Sequence, residues 1–324
     1  MPGRTRIALA LGGGGARGYA HIGVIEALEE RGYELVSIAG TSMGALVGGL
    51  HAAGVLPGYA EWARSLTQRD VLRLLDPSLS APGVIRAERV LARVSELLDG
   101  ALIEELPIPF TAVATDLLAG REVWFQKGPV DIAIRASIAL PSVITPVVIN
   151  GRLLVDGGLM NPIPIAPTTS AHADLVVAVS LAGDRRGTHD GVPVQESAEQ
   201  RPTAEWFERF RRSAAQILDY DMVAMVAGRF GVGRASSTQP IPAADELVGA
   251  LPQGLRKFDV MNLSIDAMQS VITRYRLAGY PPDVMITVPR DACRTLDFHK
   301  AGQMIELGRN LTFEALDRDD LTGS

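Results

Sequence analysis

Three stretches of this 324-residue chain carry side chains or backbone that could do chemistry together. The first is Gly40-Thr41-Ser42-Met43-Gly44, a G-x-S-x-G pattern. The apolar, partly β-branched run at 33–39 reads as a buried strand, and the small apolar run at 43–53, stopped by Gly54, reads as a buried helix. A serine at such a junction sits on a sharp turn that needs neighbours without side chains, here Gly40 and Gly44. Its hydroxyl then points outward at a helix N-terminus, where the helix dipole favours developing negative charge. A plain tight turn could carry the same five letters; the strand-to-helix junction is what favours a nucleophile.

A serine nucleophile needs a base, and histidine is the usual one. Of the five histidines, His21 and His51 fall inside helical patterns, His189 in a polar loop, and His299 near the start of the last helix. His172 lies in Thr168-Thr169-Ser170-Ala171-His172-Ala173-Asp174, the approach to the N-terminal end of a strand. Sites on parallel sheets lie at the carboxyl ends, so His172 is a poor candidate. Asp156 is better placed: it ends the strand at 153–155, and Gly157-Gly158 leave room for a serine and a substrate to come close. A carboxylate of ordinary acidity is a weak base, so burial would have to raise its proton affinity.

The third stretch is Gly12-Gly13-Gly14-Gly15-Ala16-Arg17-Gly18, between a strand and a helix. It contains a dinucleotide-type spacing, Gly13-x-Gly15-x-x-Gly18, but that fingerprint wants an acidic residue at the end of the next strand. Here that strand ends in Ile38-Ala39-Gly40-Thr41-Ser42, with Glu34 at its beginning, which disfavours a nucleotide cofactor. The same geometry can serve as an oxyanion hole, because consecutive glycines let backbone N–H groups converge on one point. Arg17 could hold the loop, bind an anionic group such as phosphate, or simply be a surface arginine.

The elements that must position these residues follow from the apolar runs. A strand at 7–11, a helix at 19–30, a strand at 34–39 and a helix at 43–53 open the chain as βαβα, which implies parallel strands. Residues 59–75 and 87–98 read as helices joined by a turn-rich loop at 76–83, an insertion that is a candidate lid or ordinary packing. Further strands are expected at 110–114, 122–126, 147–149, 153–155, 175–180 and 283–288, with Asn150-Gly151 as a two-residue hairpin turn. Helices are expected at 130–137, 204–229, 258–277 and 300–316, with a polar loop at 183–202 and an irregular stretch at 230–252. The organisation expected is one domain over 1–324, with a core at about 5–182 plus 283–316 and helical insertions at about 57–104 and 204–277. Those insertions are where a substrate entrance would be sought.

A net charge of −6 argues against a nucleic-acid partner. The one cysteine, Cys293, leaves no intrachain disulfide framework and fits a reducing compartment. No apolar run is long enough to span a membrane, and the apolar stretch at 7–11 runs into four glycines, which suits a first strand rather than a signal peptide. A cytoplasmic protein is expected, with peripheral contact to a membrane allowed.

Taken together, the glycine-rich stretch, Gly40-Thr41-Ser42-Met43-Gly44 and Asp156-Gly157-Gly158 resemble the patatin-like phospholipases in order and spacing. Ala136-Ser137-Ile138-Ala139-Leu140-Pro141 resembles a further block of that family, and the resemblance covers about residues 5–182. It implies a three-layer α/β/α sandwich with a mainly parallel central sheet and a Ser-Asp dyad without histidine. On that analogy Ser42 attacks an ester carbonyl, Asp156 takes its proton, and the Gly14 and Gly15 amides, with Gly13 as a third donor, hold the oxyanion. Arg17, Gly18, Gly40, Gly44, Gly157 and Gly158 would support the motifs. Many plant members begin the glycine-rich loop with Asp, where Gly12 stands here. The implied substrates are phospholipid, lysophospholipid or another fatty-acyl ester, with no cofactor and no metal. Two other readings stay open: an acyltransferase passing the acyl group to an alcohol or thiol, and a non-catalytic regulatory protein of the same fold.

Overall fold

β1 (Arg6–Leu11) is buried on both faces from Ile7 onward, as an unbroken apolar run in a parallel sheet requires. The computed structural model describes residues 4–74, 87–141, 143–183 and 257–318. After β1 come a 3-10 turn (Gly15–Tyr19), α1 (Ala20–Glu30), β2 (Glu34–Thr41) and α2 (Met43–Ala52). Three helices follow, α3 (Leu56–Ser65), α4 (Gln68–Leu74) and α5 (Glu88–Leu98). Then come β3 (Phe110–Asp116), β4 (Arg121–Phe125), α6 (Val130–Ser137), β5 (Val147–Ile149), β6 (Arg152–Asp156) and β7 (Leu175–Gly183). The chain closes with α7 (Lys257–Gly279), β8 (Val284–Pro289) and α8 (Ala301–Arg318).

The strands form one eight-stranded sheet in the order β5-β6-β3-β2-β1-β7-β8, with β4 paired to β3. β1 pairs in parallel with β2 and β7, β2 with β3, and β7 with β8. The β3–β4, β3–β6 and β5–β6 pairs are antiparallel. The reversal near β5 and β6 is made by Asn150 and Gly151, both at positive φ (50° and 75°), the backbone that a two-residue hairpin turn demands.

Alternation along β1 separates the layers. Ile7, Leu9 and Leu11 join the main core with α1, α2 and α8, while Ala10 and Ala178 meet Ile163, Ile165 and Leu277 of α7 on the other face. The result is a three-layer α/β/α sandwich. α1 and α8 approach to backbone contact through glycines: a Cβ at Gly23 would lie 1.8 Å from the Ile305 carbonyl oxygen.

The helical region at 57–104 differs from expectation in one place. A single helix over 59–75 is broken into α3 and α4, because Leu66 turns extended (ψ 123°) and Thr67 and Asp70 cap each other. The Thr67 N–H and hydroxyl donate to Asp70 Oδ2 at 3.0 and 2.5 Å, a capping box that starts α4. The helix expected from Tyr19 begins one residue later, after the 3-10 turn. The loop expected at 76–83, the polar loop beyond Gly183, the helix at 204–229 and the irregular stretch at 230–252 lie outside the described residues.

The chain divides into two compact units, Met1–Gly191 with Asp266–Ser324, and Val192–Ile265. The sheet and its two helical layers belong to the first; of the second, residues 257–265 are described, and they are helical. Among the described residues no helix is long and apolar enough to cross a membrane.

Candidate active site

Ser42 occupies the one-residue gap between β2 and α2, at φ 57° and ψ −123°. A side chain at positive φ stores roughly 1–3 kcal/mol of strain, so the surroundings must fix it. They do so on both sides. The Ser42 N–H donates to Ser137 Oγ at 2.9 Å, and the Ser137 hydroxyl donates to the Val113 carbonyl of β3 at 2.6 Å. The Ser42 carbonyl accepts from Ala45 and Leu46 and starts α2. The glycines of the motif are steric necessities: a Cβ at Gly40 would lie 2.3 Å from the Gly44 carbonyl oxygen, and one at Gly44 would lie 2.1 Å from that of Leu11.

Asp156 ends β6 opposite Ala114 of β3, and its N–H donates to the Ala139 carbonyl at 2.9 Å. The residue is 3% exposed. Its Oδ1 accepts from the Gly158 N–H at 2.7 Å, and the Ser42 side chain lies near enough to the carboxylate to lower its pKa. Burial pushes its pKa up to about 6, against the nearby Ser42 side chain and the Gly158 N–H, which pull it down. The turn after Asp156 lies on β3, since a Cβ at Gly157 would meet the Val113 carbonyl oxygen at 2.1 Å.

The glycine-rich loop leans on the serine: a Cβ at Gly13 would sit 3.2 Å from that of Ser42. The loop is tied by the Gly12 N–H to Val179 (3.0 Å) and the Ala16 N–H to Thr295 (2.9 Å). The Gly13 amide, expected as a third oxyanion donor, donates instead to the Pro162 carbonyl at 3.1 Å, and what Gly13 offers the site is clearance. The Gly14 and Gly15 amides have no acceptor among the described residues. Of the readings for Arg17, the structure has the loop clamp: its guanidinium donates to the carbonyls of Leu181 (3.1 Å), Arg290 (3.2 Å) and Cys293 (3.3 Å). Gly18 admits Met43, whose Cβ would lie 2.3 Å from an added one.

A second set of side chains holds the turn after Asp156, and nothing in the sequence pattern had singled it out. Gln269 of α7 donates to the Gly158 carbonyl at 2.9 Å, and Arg276 donates through Nε to that of Met160, also at 2.9 Å. Arg276 also pairs with Glu122 of β4, which accepts from Asn161 Nδ2 at 2.8 Å. The Asn161 carbonyl in turn accepts from Thr41 Oγ1 at 2.9 Å, which closes the path to the residue before Ser42.

Ser42 opens onto an apolar cleft of about 850 Å³, counting the part open to solvent. Its walls come from α3, α4 and the start of α5, from 138–144 and from 295–298, with Met43, Trp62, Val71, Leu140 and Leu296 among them. Tyr19 and Tyr59 line it too, their ring centroids 6.4 Å apart, with burial pushing the Tyr19 phenol up to about 12. The helices expected as an insertion thus form a wall of the cleft.

His21, His51 and His172 are placed elsewhere. His172 is exposed just before β7, at the end of the sheet where β1 begins, and Asp174 beside it accepts from the Arg6 N–H at 2.7 Å. His51 lies 3.5 Å from Glu29, and His21 bonds the Gly12 carbonyl at 2.8 Å. His189 lies outside the described residues.

A glycine-rich loop, an elbow serine and a strand-end aspartate gathered at one end of this mixed sheet define a patatin fold. A family model described as patatin-like phospholipase matches residues 9–169. An uncharacterized NTE family protein of Mycobacterium tuberculosis is 52% identical over 335 residues, covering 96% of this chain and 91% of the relative. The chain belongs to the patatin-like phospholipase family, with relatives named as NTE family proteins. Lysophospholipase nte1 of Emericella nidulans is 32% identical over 192 residues, 57% of this chain and 12% of that protein. Patatin-like phospholipase domain-containing protein 6 of Mus musculus is 34% identical over 183 residues, 54% of this chain and 13% of that protein. Gln269 and Arg276 lie beyond the stretch that the family model covers.

Proposed function

We propose that this protein is a lipid acyl hydrolase that works through an acyl-enzyme on Ser42. The observation that carries the reading is a strained elbow serine set close to a buried carboxylate whose pKa is lifted to about 6, beside an apolar cleft. A base of that proton affinity is matched to work near neutral pH. In the first half-reaction Ser42 Oγ attacks the ester carbonyl carbon and Asp156 takes its proton. The oxyanion is held by the free amides of Gly14 and Gly15. Collapse expels the alcohol, which takes the proton from Asp156. Water then attacks the acyl-serine, giving its proton to Asp156 and releasing the fatty acid, and Ser42 recovers its hydrogen.

The substrate class proposed is phospholipid, lysophospholipid or another fatty-acyl ester, because the cleft is lined by aliphatic and aromatic side chains that suit an acyl chain. The name of the Emericella relative, a lysophospholipase, supports the same class. Leu296 lines the cleft and is itself exposed, which gives the rim an apolar edge suited to a lipid surface. The test is profiling on a lipid mixture together with fluorophosphonate labelling, with Ser42→Ala as the control. Release of free fatty acid and labelling, both lost in the control, are expected; transfer of the acyl group to an added lysolipid or thiol in place of water would overturn the hydrolase assignment.

The α7 contact yields a further expectation. Gln269→Leu removes the donor that fixes the Gly158 carbonyl, and with it the register of the Gly158 N–H that holds the Asp156 pKa down. Losing a hydrogen bond of about 1 kcal/mol should move the acid limb of the kcat/KM profile up by up to about one pH unit. An acid limb that stays where it is in the wild type would show that α7 does not act on the base.

A further inference from the structure

His21 is the second residue of α1 and is fully buried. Its Nε2 lies 2.8 Å from the Gly12 carbonyl oxygen. A carbonyl can only accept, so Nε2 carries the ring proton and Nδ1 is bare. Among the described residues Nδ1 has no hydrogen-bond partner. Burial holds the pKa down to about 4, so the ring is neutral and its donor is present at ordinary pH. An unmatched buried nitrogen costs about 1–3 kcal/mol, and a leucine or methionine would fill the same space without it. What the imidazole adds over an apolar residue is its N–H.

That N–H falls on a particular peptide. The Gly12–Gly13 peptide accepts from His21 at its carbonyl and donates to Pro162 from its amide, so both of its polar ends are held. Two flanking glycines leave its plane otherwise free to turn. The next two amides along the chain, of Gly14 and Gly15, are those without an acceptor. Because His21 begins α1 just after the loop, its bond also ties the loop's first residue to the helix that ends it, nine residues on.

We propose that His21 is a positioning residue that fixes the Gly12–Gly13 peptide and so aims the Gly14 and Gly15 amides at the carbonyl attacked by Ser42. The aiming rests on the hydrolase reading above; the fixing of the loop does not. The discriminating pair is His21→Gln and His21→Met. Both lose the ring and have nearly the same length, but only glutamine keeps a donor to reach Gly12.

The Met variant is expected to lose 10- to 100-fold in kcat on an aryl ester and in the rate of fluorophosphonate labelling, with KM within about twofold. The Gln variant should stay within a few fold of wild type, and both should melt at similar temperatures. Hydrogen exchange at the Gly13 amide, read in the same proteins, should be faster in Met than in Gln. Equal catalytic rates and equal exchange in the two variants would overturn the proposal. A wild type without Ser42-dependent hydrolysis would defeat the hydrolase reading instead, and the Gly13 exchange comparison would still decide whether His21 holds the loop.

Discussion

Replacing Ser42 with glycine is expected to abolish ester hydrolysis and to raise the melting temperature at the same time. The loss follows from the proposed role: removing a serine nucleophile costs at least about a thousandfold in kcat/KM, since its partners act only through it. The gain follows from the backbone. At φ 57° and ψ −123° a Cβ is strained by roughly 1–3 kcal/mol, and glycine has none. Glycine gives back about 0.5–1 kcal/mol through the greater freedom of its unfolded chain. The net gain of about 1–2 kcal/mol corresponds to a few degrees for a chain of this size. Ser42→Ala separates the two effects, because alanine keeps the strained Cβ and loses only the hydroxyl. It should be as inactive as glycine and no more stable than wild type, since it keeps the strain that glycine relieves. Calorimetry on the three proteins with an aryl-ester assay decides the matter. A glycine variant that melts below the alanine one would mean the elbow holds no strain, and hydrolysis within tenfold of wild type would remove Ser42 from the chemistry.

The elements were readable where a single force shaped them. β1, β2 and β7 are apolar runs bounded by glycine or polar residues, and each strand lies within two or three residues of where the runs put it. The break between α3 and α4 was written as Thr67-x-x-Asp70, but the helical periodicity on either side hid it. The juxtaposition of Ser42 and Asp156 was legible because both follow strand ends and both are trailed by glycines, whose absence of side chains marks close approach before any coordinates are known. The partners of that pair were not. Ser137 lies at the end of an amphipathic helix, where a serine ordinarily means only a helix terminus. Gln269 and Arg276 are polar residues in a long helical pattern, and their targets are carbonyl oxygens, which leave no trace in a sequence. The same holds for His21 and for Gly13: whether a loop amide is free or committed depends on a carbonyl about 150 residues away.

Asp156→Asn is expected to be inactive and, above about pH 6, more stable than wild type. The carboxyl has a folded-state pKa of about 6 against an ordinary 3.8, so the folded chain binds the proton more tightly than the unfolded one. Stability from this group is therefore fully present below pH 3.8, falls as the pH rises through about 6, and is flat above it. At pH 8 the wild type carries the whole deficit, on the order of 3 kcal/mol at 1.36 kcal/mol per unit. Asparagine carries no charge to desolvate, can accept from the Gly158 N–H as Asp156 Oδ1 does, and can turn its NH2 toward Ser42. The difference in melting temperature between variant and wild type should thus open between about pH 4 and pH 6 and stay open to pH 8. Groups that titrate alike in both proteins, His21 among them, cancel from that difference. The wild-type kcat/KM should rise tenfold per unit up to about pH 6 and then level, while the variant stays at least about a thousandfold lower throughout. A melting difference that does not vary with pH, or a wild-type acid limb near pH 4, would mean that the Asp156 carboxylate is not the base. The two measurements test one quantity: the burial that lets Asp156 take a proton from Ser42 near neutral pH is the burial that makes its ionised form costly to fold around.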